Sequence, residues 1–260
     1  MKPTRPHRFA NRVGGEGGIE EVCPSFKQID VGNAKRYIKS HAKNTASCGG
    51  LSLGDDESKD ERNGGDAMEI CILFGSLRNN SNTGLLLEPF INELKRFGID
   101  INYIVLKDLD IEPCTACWTC QNIFEEPGCP KKDDMDLIYQ AVLKSDCIIF
   151  ASPIYSWYCT PPMKAVMDRL VYGMNKYYGD SEGPCLWEGK KCALITTCGY
   201  EVENGAGVFE EGLRRYAKHS KLQYIGKLAI QDIDGKEYFQ NEFAVKAAKE
   251  FAQKVVNSLK

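Results

Sequence analysis

ICILFGSLRNNSNT, residues Ile70–Thr83, decides how this chain reads. An apolar run, Ile70–Phe74, stops at Gly75-Ser76. Arg78, three asparagines, Ser81 and Thr83 follow, and a helical pattern begins. A strand–loop–helix turn of this kind presents hydroxyls and backbone N–H groups to an anion at a helix N-terminus. A phosphomonoester carries roughly two negative charges at neutral pH. Arg78 supplies one positive charge and the helix end about half of another, a balance that suits a monophosphate better than a triphosphate. Neither the Gly-Lys-Ser/Thr ending of a triphosphate loop nor a Gly-x-Gly-x-x-Gly fingerprint is present. Taken alone, the segment is equally compatible with an ordinary polar turn between strand and helix.

Outward from that turn, strand and helix patterns alternate. Apolar or alternating runs at Glu69–Phe74, Asp100–Leu106, Cys147–Ala151, Lys191–Thr197 and Gln223–Ile230 predict five strands. Between and after them, helices are predicted at Gly84–Phe97, from an Asp133-Asp134 cap to Lys144, and at Pro162–Val171, Gly205–Lys218 and Asn241–Leu259. The first helix should bury Leu87, Phe90, Ile91, Leu94 and Phe97; the last, Ala244, Ala248, Phe251, Val255 and Leu259. Strands alternating with helices imply an α/β protein, a doubly wound parallel sheet with helices on both faces. The flavodoxin-like strand order 2-1-3-4-5 places a ligand at the carboxyl ends of strands one and three. The loops at that end should therefore carry the chemistry.

The loop after the third strand reads Ser152-Pro153-Ile154-Tyr155-Ser156-Trp157-Tyr158. Its proline stiffens it, and its aromatics offer flat apolar surface beside backbone donors and acceptors, as a planar heteroaromatic ring requires. Thr196-Thr197-Cys198-Gly199-Tyr200, after the fourth strand, is small enough for backbone to approach a ring edge. A third loop carries Cys114, Cys117 and Cys120 at C-x2-C-x2-C spacing, with Cys129-Pro130 beyond. Four such thiolates suit an iron–sulfur cubane. The eight residues between Cys120 and Cys129 favour instead a loop of reduced thiols, with zinc a third reading.

Jointly these loops resemble the NADPH-dependent FMN reductase and iron–sulfur flavoprotein family, over about Met68 to Lys260. The matching motifs are GSxRxxSxT (Gly75, Ser76, Arg78, Ser81, Thr83), SPIYSW (Ser152–Trp157) and a cysteine-rich loop ending in KKDDM (Lys131–Met135). The resemblance implies FMN with its phosphate held by Ser76, Arg78, Ser81, Asn82 and Thr83. Pro153, Ile154, Tyr155 and Trp157 would flank the ring, with Thr197, Cys198 and Gly199 near its polar edge. It implies NAD(P)H as donor, a small-molecule electron acceptor, and a homodimer or homotetramer with flavin near a subunit interface. A 4Fe-4S cluster on Cys114, Cys117, Cys120 and Cys129 would make the chain an electron carrier between protein partners. No protein acid or base is assigned; Tyr155, Tyr158 and Cys198 are polar groups expected nearby.

The 260 residues carry a net charge of -3 and 43% hydrophobic residues, which gives no reason to expect nucleic-acid binding. There is no apolar run long enough for a transmembrane helix. Twelve cysteines behind no secretory signal read as reduced thiols in a cytoplasmic protein. His7, His41 and His219 lie outside every motif, and no Ser-His-Asp set is evident. Residues 1–67 differ from the rest. Residues 1–46 hold nine Lys/Arg against four Asp/Glu, and an acidic Gly/Ser-rich stretch follows, so a disordered extension is expected. Met68 directly precedes the first strand, and Gly64–Ala67 can be encoded with a purine-rich ribosome-binding element. Translation beginning at Met68 is one expectation; a basic partner-binding arm using Cys23, His41 and Cys48 is the other.

Overall fold

A computed structural model describes residues 68–233 and 235–260. The readings of residues 1–67 lie outside the described residues. Five strands form one parallel sheet: β1 (Glu69–Phe74), β2 (Asp100–Val105), β3 (Cys147–Pro153), β4 (Lys191–Cys198) and β5 (Gln223–Gln231). Their order is β2-β1-β3-β4-β5, the flavodoxin-like arrangement.

The alternation of side chains along each strand sorts the core into two layers. Cys71, Leu73, Ile148, Phe150, Cys192 and Leu194 face one side and pack on α2 (Met135–Lys144), α3 (Pro161–Met174) and, past the short α4 (Val202–Gly205), α5 (Gly207–His219). Ile70, Ile72, Phe74, Ile149, Ala193 and Ile195 face the other and pack on α1 (Asn82–Arg96) and α6 (Glu242–Leu259). Inner strands buried on both sides need near-continuous apolar runs, which β1 and β3 have.

The helix ends depart from the periodic pattern in instructive ways. Ser81 caps α1 through its Oγ, which accepts from Gly84 N at 3.1 Å, so the helix starts at Asn82, two residues before the expected Gly84. Phe97 is not part of the buried face; it follows the last turn and is exposed. Asn241 caps α6 in the same manner, accepting from Ala244 N at 2.8 Å. The helix expected over Gly205–Lys218 is divided, because Ala206 ends α4 before α5 begins. Neither expected capping aspartate caps α2 in the ordinary way. Asp134 makes no capping bond to that helix, and Asp133 is committed to a buried arginine.

Gly75 ends β1 where the chain passes under α3. A side chain there would place its Cβ 2.9 Å from Thr160 Oγ1 and 3.0 Å from Met163 Cβ. Thr160 Oγ1 donates to Gly75 O at 2.6 Å, and Gly75 N donates to Ala151 O at 2.8 Å. The turn after β1 is thus tied to both the strand and the helix beside it.

Candidate functional site

At the carboxyl ends of β1, β3, β4 and β5 a cleft is lined by Ser76, Arg78, Ser81, Asn82, Thr83, Pro153, Ile154, Tyr155, Thr197, Cys198, Gly199 and Asp232. Eleven of these are the residues expected from sequence to meet the phosphate, the ring and its polar edge. The hydroxyls and Arg78 occupy the side formed by the β1 loop and the first turn of α1; Pro153, Ile154 and Tyr155 form another side.

The walls are cross-linked. Thr83 and Thr197 share a buried hydroxyl–hydroxyl hydrogen bond of 2.7 Å, joining α1 to the end of β4. Ile154 N donates to Thr197 O at 2.8 Å, and Thr196 Oγ1 donates to Ser152 O at 2.7 Å, locking the β3 loop to β4. Gly199 leaves its backbone bare: a Cβ there would meet nothing within 4 Å. Cys198 is buried, and its Sγ donates to Tyr200 O at 3.2 Å. Burial pushes this thiol up, so it is a neutral group at pH 7 rather than a nucleophile.

Two side chains depart from expectation. Trp157 lies outside the lining. Ser156 and Trp157 adopt left-handed conformations (φ 48° and 64°) in a turn closed by two backbone bonds between Tyr155 and Tyr158. Trp157 stacks instead on Tyr200, rings 7° from parallel with centroids 6.1 Å apart, and both remain exposed. Tyr158 likewise turns from the cleft and packs against Phe209.

Asp232 is the residue that sequence reasoning missed. Its Oδ2 accepts from Asn82 Nδ2 at 2.7 Å, and its own N–H donates to Cys198 O at 2.8 Å. Asn82, expected on the phosphate, is held toward this carboxylate. The available signal was positional: Asp232 directly follows β5, at the same end of the sheet as the loops that were read.

A second cavity lies beside α3. Cys114, Cys117, Cys120 and Cys129 all line it, with Trp118, Lys131, Tyr139, Arg169 and Tyr172. The KKDDM segment anchors the loop. Lys131 pairs with Glu112 at 2.5 Å, and Asp134 Oδ2 accepts from Asp110 N at 3.0 Å. Asp133 and Arg169 form a two-pronged ion pair, at 2.5 and 3.1 Å, with both side chains almost fully buried. Burial pushes the Asp133 carboxyl up, but Arg169 and the main-chain N–H groups of Glu112 and Met135 outweigh it, and its pKa is held below the ordinary value. Gln121 clamps the other side, its Nε2 donating to Tyr172 O at 2.6 Å and Asn175 O at 3.0 Å. Ala116 and Trp118 are left-handed (φ 50° and 62°). Cys120 is buried and raised by that burial; exposed Cys117 is lowered, chiefly by a hydrogen bond from Thr119. Among the described residues no three His, Cys, Asp or Glu converge closely enough to hold one metal ion, so zinc finds no ready tetrahedral site on these thiols.

The sequence pattern of the NADPH-dependent FMN reductase family matches residues 68–232, a span running from the start of β1 to Asp232 in the cleft. The chain belongs to that family. An iron–sulfur flavoprotein of Methanocaldococcus jannaschii is 35% identical over 102 residues, covering 39% of this chain and 51% of that protein. One of Clostridioides difficile is 30% identical over 142 residues, covering 54% and 57%. The chain thus spans about half the length of the curated relatives it matches. Among solved structures, the NAD(P)H:quinone oxidoreductase of Methanothermobacter marburgensis superposes with a TM-score of 0.57 at 18% identity, over 73% of this chain and 98% of that one. An FMN-dependent NADH-azoreductase of Bacillus anthracis gives 0.54 at 16%, over 73% and 99%. These likenesses establish the flavodoxin-like fold.

Proposed function

We propose that the protein is an FMN-dependent NAD(P)H oxidoreductase that passes electrons from a reduced nicotinamide to a small-molecule acceptor. The observation that carries this reading is the convergence of three separate loops, from β1, β3 and β4, on one cleft with hydroxyls and a guanidinium on one side and apolar surface on another. The residues fit the group. Ser76, Arg78, Ser81, Thr83 and the first turn of α1 would hold the phosphate. Pro153, Ile154 and Tyr155 would flank the ring, and bare Gly199 would admit its polar edge. Asp232, a carboxylate in an anion-binding cleft, would accept from a ligand hydroxyl or ring N–H rather than meet the phosphate. Bound FMN supplies the hydride and electron chemistry, and the protein contributes orientation and electrostatics. Cys198 stays protonated beside it.

Leu77, Tyr155, Trp157, Tyr200 and Ile233, each a lining residue or within two residues of one in sequence, are exposed. That much apolar surface favours a second copy of the chain against it, hence a dimer or tetramer in solution. The decisive experiment is an absorbance spectrum of protein isolated without oxygen, followed by FMN titration of stripped protein. Flavin bands and stoichiometric binding are expected; colourless protein that refuses saturating FMN would overturn the reading.

A second reading, an iron–sulfur flavoprotein carrying electrons between proteins, is favoured by the four-cysteine cavity and by one orphaned atom. Arg169 lines that cavity, and its Nε is buried with no hydrogen-bond partner. A buried donor without an acceptor is costly, and a sulfur ligand would supply one. Cubane ligands stand around a cage, one per iron, so thiols that ring a cavity without meeting at a point suit it better than a single ion. The cavity volume is about 20 Å³, so binding a cluster would require the thiols to move apart. Iron and acid-labile sulfide in the anaerobic protein, lost on Cys117→Ser, are the expected result; their absence from the unaltered chain removes this reading alone.

A further inference from the structure

Lys176 is fully buried just beyond the end of α3. Its ammonium meets two main-chain carbonyls, Cys120 O at 2.9 Å and Pro127 O at 3.0 Å. These belong to the two arms of one loop, the first carrying Cys120, the second leading to Cys129 two residues on. Arg169, the neighbouring buried cation, has Asp133 against it; Lys176 has no carboxylate within ion-pair distance among the described residues.

A buried ammonium facing carbonyls alone is costly, because dipoles replace water only in part. Burial works against the charge and lowers this group's pKa; three nearby groups would offset that when ionised, Cys120, Glu126 and Cys129. Glu126 is exposed and screened by solvent. The two cysteines are therefore the partners that matter. As neutral thiols they offset little of the charge; as thiolates around a metal–sulfur core they offset it well. Four thiolates leave such a core with net negative charge, and reduction adds one more electron with no proton needed.

On the iron–sulfur reading above, we infer that Lys176 is a positioning residue for an anionic thiolate-bound centre in the four-cysteine cavity, its fixed charge between the two cysteine-bearing arms favouring both assembly of that centre and its one-electron reduction. Net charge and burial are among the quantities that set the potential of such centres, so loss of the cation makes reduction harder.

Two variants separate charge from hydrogen bonding. Lys176→Gln keeps a donor for the carbonyls and removes the charge; Lys176→Arg keeps the charge. Full-length protein purified without oxygen is assayed for FMN, iron and acid-labile sulfide per chain, then titrated with dithionite against reference dyes to read the potential. Unaltered protein and Lys176→Arg are expected to hold iron and sulfide at similar potentials. Lys176→Gln is expected to keep its FMN but to show a more negative potential, or to lose iron and sulfide where Lys176→Arg retains them. An unchanged potential in Lys176→Gln overturns the inference while leaving the cluster reading intact. Equal loss of iron from both variants also overturns it, since the lysine is then only a packing element. Unaltered protein with FMN but no iron or sulfide removes the cluster reading and the inference together.

Discussion

Two glycines and one cation in or beside the cleft separate binding from stability. Gly199 has open space where a Cβ would go, so Gly199→Val should fold normally and weaken FMN about tenfold or more by filling the cradle, an overpacking cost of about 1–3 kcal/mol falling on the ligand. Gly75→Ala should do the reverse. Its Cβ runs into Thr160 and Met163, so urea unfolding should show a loss of about 1–3 kcal/mol before any flavin is added. Arg78→Ala should cost about 1.5–3 kcal/mol of FMN affinity, the worth of a charged hydrogen bond, and leave the unfolding midpoint of stripped protein in place, because Arg78 is exposed. Fluorescence titration with FMN checks the first and third. Most of the cleft was legible in sequence, since Ser76, Ser81, Thr83 and Arg78 form a polar block cut sharply into an apolar run. Asp232 was not, because one acidic residue after a strand looks like any loop. Trp157, expected to flank the ring, lies outside the cleft lining and stacks on Tyr200, a placement its left-handed backbone sets and its identity does not reveal.

Among the elements, the junction of the cysteine loop with α2 depends most on one interaction. Asp133 and Arg169 are both almost fully buried, and removing one partner leaves the other charge unpaired. Asp133→Ala should therefore destabilise the protein by about 3–5 kcal/mol, read by urea denaturation. The pair also sets a pH dependence. The native carboxyl is held below its unfolded value of about 3.9, so its contribution is complete above about pH 4 and is lost as pH falls through the native value. Acid unfolding of Asp133→Ala should accordingly be flatter than that of the unaltered chain. Helix positions followed from their apolar stripes; helix ends did not, because capping is settled by tertiary partners. Asp133 accepts from Met135 N at the start of α2 at 3.1 Å, yet its main commitment is as the counter-ion of Arg169. Ala206 interrupts a stretch whose apolar pattern runs on without a break.

Over the whole molecule, the sheet and both helix layers lie within 68–260, and the family pattern lies within 68–232. A chain lacking residues 1–67 is expected to bind FMN with unchanged affinity and to unfold at the same temperature, by titration and differential scanning calorimetry. Weaker binding would make the extension part of the flavin site. Strand order was readable because right-handed crossovers leave few alternatives. That the four cysteines of 114–129 could share one site was offered by their spacing as one of three readings; the contacts that seat the loop, Gln121 on Asn175 O and Arg169 on Glu112 O, left no mark in the sequence. The Thr83–Thr197 pair has a wider implication. Either hydroxyl can supply the shared proton, so the dipole of that wall reverses by bond rotation alone, with no heavy atom displaced. A guest whose rim alternates between offering and seeking a proton would find a matching surface in each state, and a rigid scaffold would serve both halves of a turnover cycle.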